Sequence, residues 1–168
     1  GRISFVLGLQ GPCLSVETAC SSSLVACHIA MRGVQQKDCQ DYLALGVNLL
    51  LTPSFGIALS AAGMPSPLGK SHTFDSRADG FARGEGCGTI LLRYGEADEV
   101  RVFALGSTVR QDGRSASLTA PNGKAQESML HAALADADLN PQHVHLIESH
   151  GTGTVLGDPI EVGALMLS

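Results

Sequence analysis

Along residues 21–36, apolar side chains recur at Leu24, Val25, Cys27, Ile29, Met31 and Val34, a pattern wider than one stripe that predicts a mostly buried helix. Just before it, Leu14-Ser-Val-Glu-Thr alternates briefly, as a short strand does. Residues 42–50 form a near-continuous apolar run of strand length, and 54–62 read as a short helix closed by Gly63. Pro65 and Pro67 then hold an extended loop. From 64 to 88 the chain is polar and glycine-rich, a long surface excursion of the kind that carries function. Strands are predicted at 90–92 and 100–109. Within 125–137, Met129, Leu130, Ala133, Leu134 and Ala137 fall at helical spacing, and Asn140-Pro141 stops the run. A strand at 144–148 and a helix beginning at Asp158 complete the pattern. The alternation predicts an α/β fold with a largely parallel sheet, without internal repeat or low-complexity segment.

Composition narrows this picture. With 168 residues, 44% hydrophobic and 16% charged, the chain fits one soluble globular unit with a sizeable core. It starts at Gly1 and stops at Ser168 inside the apolar run 160–167, with no helix-ending signal, so both ends are expected to be cut. A net charge of -5, with dispersed acids, leaves no basic stripe to neutralise a phosphate backbone, and nucleic acid is not an expected partner. Nor is a membrane. The most apolar stretch, 42–51, is interrupted by Asn48 and falls far short of the roughly 20 residues a bilayer span needs. No signal peptide is visible. The cysteines (Cys13, Cys20, Cys27, Cys39, Cys87) are odd in number and lack any Cys-x-x-Cys pair, which argues against a disulfide framework and a structural zinc site. A reducing compartment is expected, the cytoplasm or an organelle such as a plastid. With 20 Gly, 4% aromatics and no Trp, the chain must pack small residues and tight turns closely.

Two stretches carry candidate chemistry. Val16-Glu-Thr-Ala-Cys-Ser-Ser-Ser-Leu24 puts Cys20 where a strand gives way to a helix. Unpaired N–H groups and the positive end of the helix dipole would favour a thiolate there, and the same N–H groups can hold an oxyanion. The bland alternative is a small buried core cysteine, the reading favoured for the other four.

The second stretch, 144–161, ends a strand at His150-Gly-Thr-Gly-Thr154, at the carboxyl edge where loops of open α/β sheets converge on a crevice. Gly151 and Gly153 would let the backbone come close to a substrate, and Thr152 and Thr154 offer hydroxyls. Asp158-Pro-Ile-Glu161 has the form of a capping box, so a purely structural role for Asp158 and Glu161 is the simple reading, and His150 could be a satisfied loop histidine.

Other patterns are weaker. Met64-Pro-Ser-Pro-Leu-Gly-Lys-Ser71 lacks the first glycine of a phosphate-binding loop, and Gly151-x-Gly153-x-x-x-Gly157 has one residue too many for a dinucleotide fingerprint. His143 and His145 would share one face of a strand, without an obvious third metal ligand. Arg77, Asp79, Arg83 and Glu85 read as ion pairs or surface charges.

Thr18-Ala-Cys-Ser-Ser-Ser-Leu24 and His150-Gly-Thr-Gly-Thr154 with Gly157-Asp-Pro-Ile-Glu161 resemble the cysteine and first-histidine motifs of β-ketoacyl synthases, in particular the ketosynthase domains of type I polyketide synthases. The resemblance covers most of the chain. Gly46-Val-Asn, Ala62-Gly-Met, Thr73-Phe-Asp, Ala78-Asp-Gly-Phe-Ala-Arg-Gly-Glu-Gly-Cys-Gly88, Gln111-Asp-Gly-Arg-Ser and Leu118-Thr-Ala-Pro-Asn-Gly123 follow in the family's order.

The resemblance implies a thiolase-like fold, layered α/β/α/β/α, of which residues 1–168 would be a partial domain spanning the end of the N-terminal half and the start of the C-terminal half. It also implies a homodimer with no cofactor of its own, whose substrate rides on the phosphopantetheine of an acyl carrier protein. The residue matching Cys20 takes an acyl group from that carrier. The one matching His150 assists decarboxylation of a malonyl-type extender, whose enolate attacks the Cys thioester to give a 3-oxoacyl product in polyketide or fatty acid synthesis. Thr152 and Thr154 match residues that contact the phosphopantetheine arm, Glu161 matches an acid that pairs with a downstream lysine, and Asp158 is expected to be a supporting residue beside it. No metal is implied.

Some positions depart from the family. Glu17 stands where Asp is usual, Arg110 and Ala116-Ser117 replace residues that are often Asn and Asn-Gly, and the segment 94–100 is several residues short, as if a surface helix were absent. The second catalytic histidine, in a Lys-x-x-x-Gly-His stretch, and the glycine-rich loop completing the oxyanion hole are expected beyond Ser168, so the 168-residue piece alone is expected to be inactive. Two other readings compete: a non-catalytic or degenerate dimer partner, against which the retained Cys20 speaks, and a Cys–His hydrolase, which the 130 positions between Cys20 and His150 would allow but whose Cys-Gly-Ser-Cys-Trp neighbourhood is missing.

Overall fold

The computed structural model describes residues 1–95 and 100–168 and divides into two compact units, Gly1–Leu49 with Glu85–Ala104, and Leu50–Gly84 with Leu105–Ser168. The shortening expected at 94–100 falls largely on residues 96–99, outside the described residues.

In the first unit, helix α1 (Arg2–Leu7) ends at Gly8 and is followed by irregular chain, a 3-10 turn at Ala19–Ser21 and helix α2 (Ser22–Gln36). The end of α2 is well specified: Lys37 turns into the left-handed region at φ 63°, and the N–H groups of Lys37 and Asp38 return to the carbonyls of Val34 and Gly33. Strand β1 (Asp41–Asn48) pairs antiparallel with β2 (Gly86–Arg93), from Asp41 opposite Arg93 to Asn48 opposite Gly86. At the first of these pairs, Arg93 grips Asp41 through both carboxylate oxygens.

Helix α2 lies on this ribbon because two glycines leave room for it. The Tyr42 ring fills the space a side chain at Gly33 would need, and a Cβ added at Gly46 would come within 2.8 Å of the Cβ of Ser23. Only the later half of α2 is buried, at Ala30, Met31, Gly33 and Val34, whereas Leu24 is exposed. The prediction of a mostly buried helix therefore holds for its second half.

In the second unit, α3 (Pro53–Ala61) starts with Pro at its first position, and the chain turns at Gly63, φ 66°. Helix α4 (Gly123–Asp136) is capped by the Asn122 side chain, which accepts the N–H of Ala125 while Asp112 holds Asn122 in place. It packs on α5 (Gly157–Leu167), where Gly123 lies against Ile160. The glycine-rich excursion folds on itself by a bridge between Pro65 and Phe81, and within it Ser66 and Gly80 are buried.

The expected parallel sheet is not what forms among the described residues: the one ladder is antiparallel, and the only parallel contact is the isolated Pro65–Phe81 bridge. Residues 14–18, 100–109 and 144–148 carry strand-like sequences but join no ladder among the described residues. Side-chain pattern measures fitness for a pleated surface, while a strand also requires a ladder partner for its N–H and C=O groups. His143 is likewise not on a strand. It closes a 3-10 turn, Pro141–His143, with its Nδ1 accepting the N–H of Asn140, which disposes of the pairing with His145. The buried apolar residues among those described are few and mostly small (Ala30, Met31, Val34, Ala44, Ala164), and most of β2 is exposed.

Candidate active site

Cys20 sits in the 3-10 turn ahead of α2 and is exposed, so it is not a core cysteine. Neighbouring hydroxyls build the turn. The N–H of Thr18 donates to Ser22 Oγ at 2.7 Å, Ser22 Oγ donates to the Ala19 carbonyl at 2.8 Å, and Ser21 Oγ donates to the Thr18 carbonyl at 3.0 Å. Glu17 accepts the N–H of Ala19 at 3.1 Å. Ala19 itself is at φ 55°, a left-handed conformation disfavoured for a residue with a Cβ and kept by this surrounding network. The run of serines after Cys20 thus folds the backbone into a bend that presents the thiol. All the cysteines are unpaired; Cys13 and Cys87 are exposed, contrary to the core reading, and Cys27 and Cys39 are half-buried.

In the second unit, His150, Thr152, Thr154, Asp158 and Glu161 come together around one loop. His150 is exposed at its start. Glu161 accepts the N–H of His150 at 2.5 Å and that of Gly151 at 2.8 Å, one on each oxygen. Asp158, 4% exposed, takes the N–H groups of Gly153 at 3.0 Å and Thr154 at 3.3 Å on one oxygen, and that of Phe74 at 2.8 Å on the other. Thr154 Oγ1 accepts the N–H of Gly157 at 3.2 Å and lies 3.1 Å from Thr152 Oγ1. Two carboxylates therefore fix four of the five N–H groups from 150 to 154.

This overturns the capping-box reading. Helix α5 begins at Gly157, so Asp158 lies inside the first turn rather than at the cap, and it makes no cap hydrogen bond. Side chains lean toward a helix's N-terminus, which aims both acids at the loop before it.

The sequence reading missed the segment that meets this loop. Thr73 Oγ1 donates to the Gly151 carbonyl at 2.6 Å, and Gly80 N–H donates to the Gly153 carbonyl at 3.0 Å. A Cβ on Gly151 would meet Thr73 Cγ2 at 2.7 Å, and one on Gly153 would meet the His72 nitrogen at 3.0 Å. Gly151, at φ 51°, leaves room for the Thr73 side chain, and Gly153, at φ 69°, for the backbone of His72 and Gly80. The only signal for this was Thr73-Phe-Asp75 itself. Of the loop charges, Arg77 is bound by Asp75, whose carboxyl its guanidinium holds well below the ordinary range, and Arg83 lies 5.4 Å over the Phe55 ring. Among the described residues, no group of three or more His, Cys, Asp or Glu side chains could hold a metal, and no helix is long and apolar enough to cross a membrane.

Residues 1–97 match the family model for the beta-ketoacyl synthase N-terminal domain, and residues 103–167 match that for its C-terminal domain. The chain belongs to the beta-ketoacyl synthase family. Among the relatives of this ketosynthase chain are two subunits of the Mycobacterium tuberculosis phenolphthiocerol/phthiocerol polyketide synthase, C at 50% identity and B at 49%, each match covering 98% of the chain. The chain spans only 9% and 11% of their lengths. The oxazolomycin ketosynthase domain of Streptomyces albus JA3453 superposes with a TM-score of 0.94 at 36% identity, over 99% of this chain and 30% of that one. The module 6 ketosynthase of the Bacillus subtilis bacillaene synthase gives 0.92 at 40%, over 98% and 31%. The thiolase-like α/β fold of ketosynthases is thus this chain's fold. The 50–84 segment belongs to the N-terminal family match yet packs in the unit formed with the C-terminal match.

Proposed function

We propose that the protein containing this chain performs decarboxylative Claisen condensation in polyketide biosynthesis, with residues 1–168 forming part of its ketosynthase domain. The observation that carries this is the exposed Cys20 thiol, held at the start of α2 by a strained, hydroxyl-bound turn in a chain of the beta-ketoacyl synthase family. The Cys20 sulfur attacks an acyl thioester on the phosphopantetheine arm of an acyl carrier protein. A new S–C bond forms, the carrier's C–S bond breaks, and the proton passes to the departing carrier thiol.

A malonyl-type thioester on the carrier then loses carbon dioxide. The electrons of the broken C–C bond become an enolate, which attacks the Cys20 thioester carbonyl. As the C–C bond closes, Cys20 leaves as a thiolate and the 3-oxoacyl chain stays on the carrier. His150 stabilises the enolate oxygen by donating a hydrogen bond to it. Thr152 and Thr154 contact the phosphopantetheine arm, and Asp158 and Glu161 hold the loop. The enzyme works as a homodimer in a reducing, cytoplasmic setting, which suits its unpaired thiols.

Replacing Cys20→Ala in the full-length protein tests this. Loading of a labelled acyl thioester should disappear together with 3-oxoacyl product. Product formation at the native rate would refute the nucleophile and favour a non-catalytic dimer partner.

A further inference from the structure

We propose that the Thr73–Phe74 turn is a positioning strap for His150, fastened to the histidine loop by the Thr73 hydroxyl and the Asp158 carboxylate. The inference rests on the role given to His150 above. The strap reaches the loop from 78 positions upstream, so the contact is not a by-product of local chain geometry. It is fastened at several points: Thr73 Oγ1 to the Gly151 carbonyl, Phe74 N–H to Asp158, and Gly80 N–H to the Gly153 carbonyl.

Three features mark the strap as fitted to the loop. Phe74 is held at φ 58°, a conformation that persists in a large L-residue only where its surroundings impose it, and here its N–H is taken by a nearly fully buried carboxylate. That carboxylate uses its other oxygen for Gly153 and Thr154, so one side chain clamps strap and loop together. The loop's two glycines lack a Cβ where Thr73 and His72 come closest.

A hydrogen-bond donor aimed at a developing oxyanion works only if its backbone stays put, and a displacement near 1 Å can lower the rate on the order of 100-fold. Glu161 fixes the amides of residues 150 and 151 and Asp158 those of 153 and 154, while the strap fixes the carbonyl of 151 and, through the Phe74 N–H, braces Asp158. Removing the strap leaves the carbonyl next to His150 unheld and the Asp158 clamp unbraced on one side.

The test uses the full-length protein and separates two half-reactions: acyl loading of Cys20, and carbon dioxide release from a malonyl thioester by the loaded enzyme. Thr73→Val deletes the hydroxyl at nearly constant shape; Thr73→Ser keeps it. Thr73→Val should slow carbon dioxide release by about tenfold, a fraction of the loss that full misplacement can produce, while acyl loading stays near native and Thr73→Ser restores release. Native decarboxylation in Thr73→Val, a parallel fall in both half-reactions, or failure of Thr73→Ser to rescue would overturn the strap. His150→Gln is the control: if it decarboxylates normally, the role of His150 is what fails, and the strap has nothing to position.

Discussion

The turn that bears Cys20 and the loop that bears His150 are both short, polar and tight, yet they are assembled from different distances. Around Cys20, the bonds that shape the backbone run between residues two to four positions apart, from Glu17 to Ser22. Around His150, the decisive partners are 10 or 11 positions away for Glu161, and 78 and 84 positions apart for the Thr73 and Phe74 contacts. The first site can form as soon as its own segment folds, whereas the second exists only once distant parts of the chain have met. Damage should therefore stay local in one and spread in the other.

The sharpest break of that contrast is Asp158→Ala. It leaves the buried Gly153 N–H and the half-buried Thr154 and Phe74 bonds without their acceptor and should destabilise the protein by about 3 kcal/mol in urea unfolding. A loss below that of any substitution in the Cys20 turn would erase the difference between the sites. Glu161→Gln comes next, because the amide keeps one accepting oxygen and turns its NH2 toward the other N–H; a loss of about 1–2 kcal/mol is expected by the same measurement. Ser22→Ala removes one acceptor and one donor in the exposed turn and should lose about 1 kcal/mol or less, with acyl loading slowed and decarboxylation by already loaded enzyme unchanged. If decarboxylation fell equally, the turn would not be the self-contained element its bonds describe.

The smallest effect is electrostatic. Arg93 holds the exposed Asp41 carboxyl below its ordinary value by a direct hydrogen bond, so this pair's contribution is complete above pH about 4 and fades as pH falls through the lowered folded value. The melting-temperature gap between the native protein and Asp41→Asn should narrow on acidification. A gap that widened would mean the carboxylate is opposed rather than favoured by its surroundings.

The same contrast governs what the sequence made legible. Helices α2 and α4 followed from apolar spacing, α3 from its Gly63 stop, and β1 from its apolar run, since each signal lies inside the element it describes. Cys20 stood out because it lies just ahead of the apolar-periodic run that becomes α2. Asp158 and Glu161 were singled out but misread, because a capping box and a clamp on the preceding loop share one spelling. What separates them is the helix start at Gly157, which puts the cap at Leu156, two residues before Asp158. Thr73 carried no legible role at all, since its partner is a carbonyl 78 positions away. The strand expectation at 144–148 failed for a related reason: a pleat-compatible sequence cannot name its neighbour.

The Cys20 turn folds from its own segment, yet where it rests depends on Gly46, far along the chain. Its hydrogen faces the Cβ of Ser23, three residues beyond Cys20, so the bare backbone of a strand works as the shim that sets how low the head of the helix may rest. Even one methyl group there would prop that helix up at its first turn and tilt the thiol it presents.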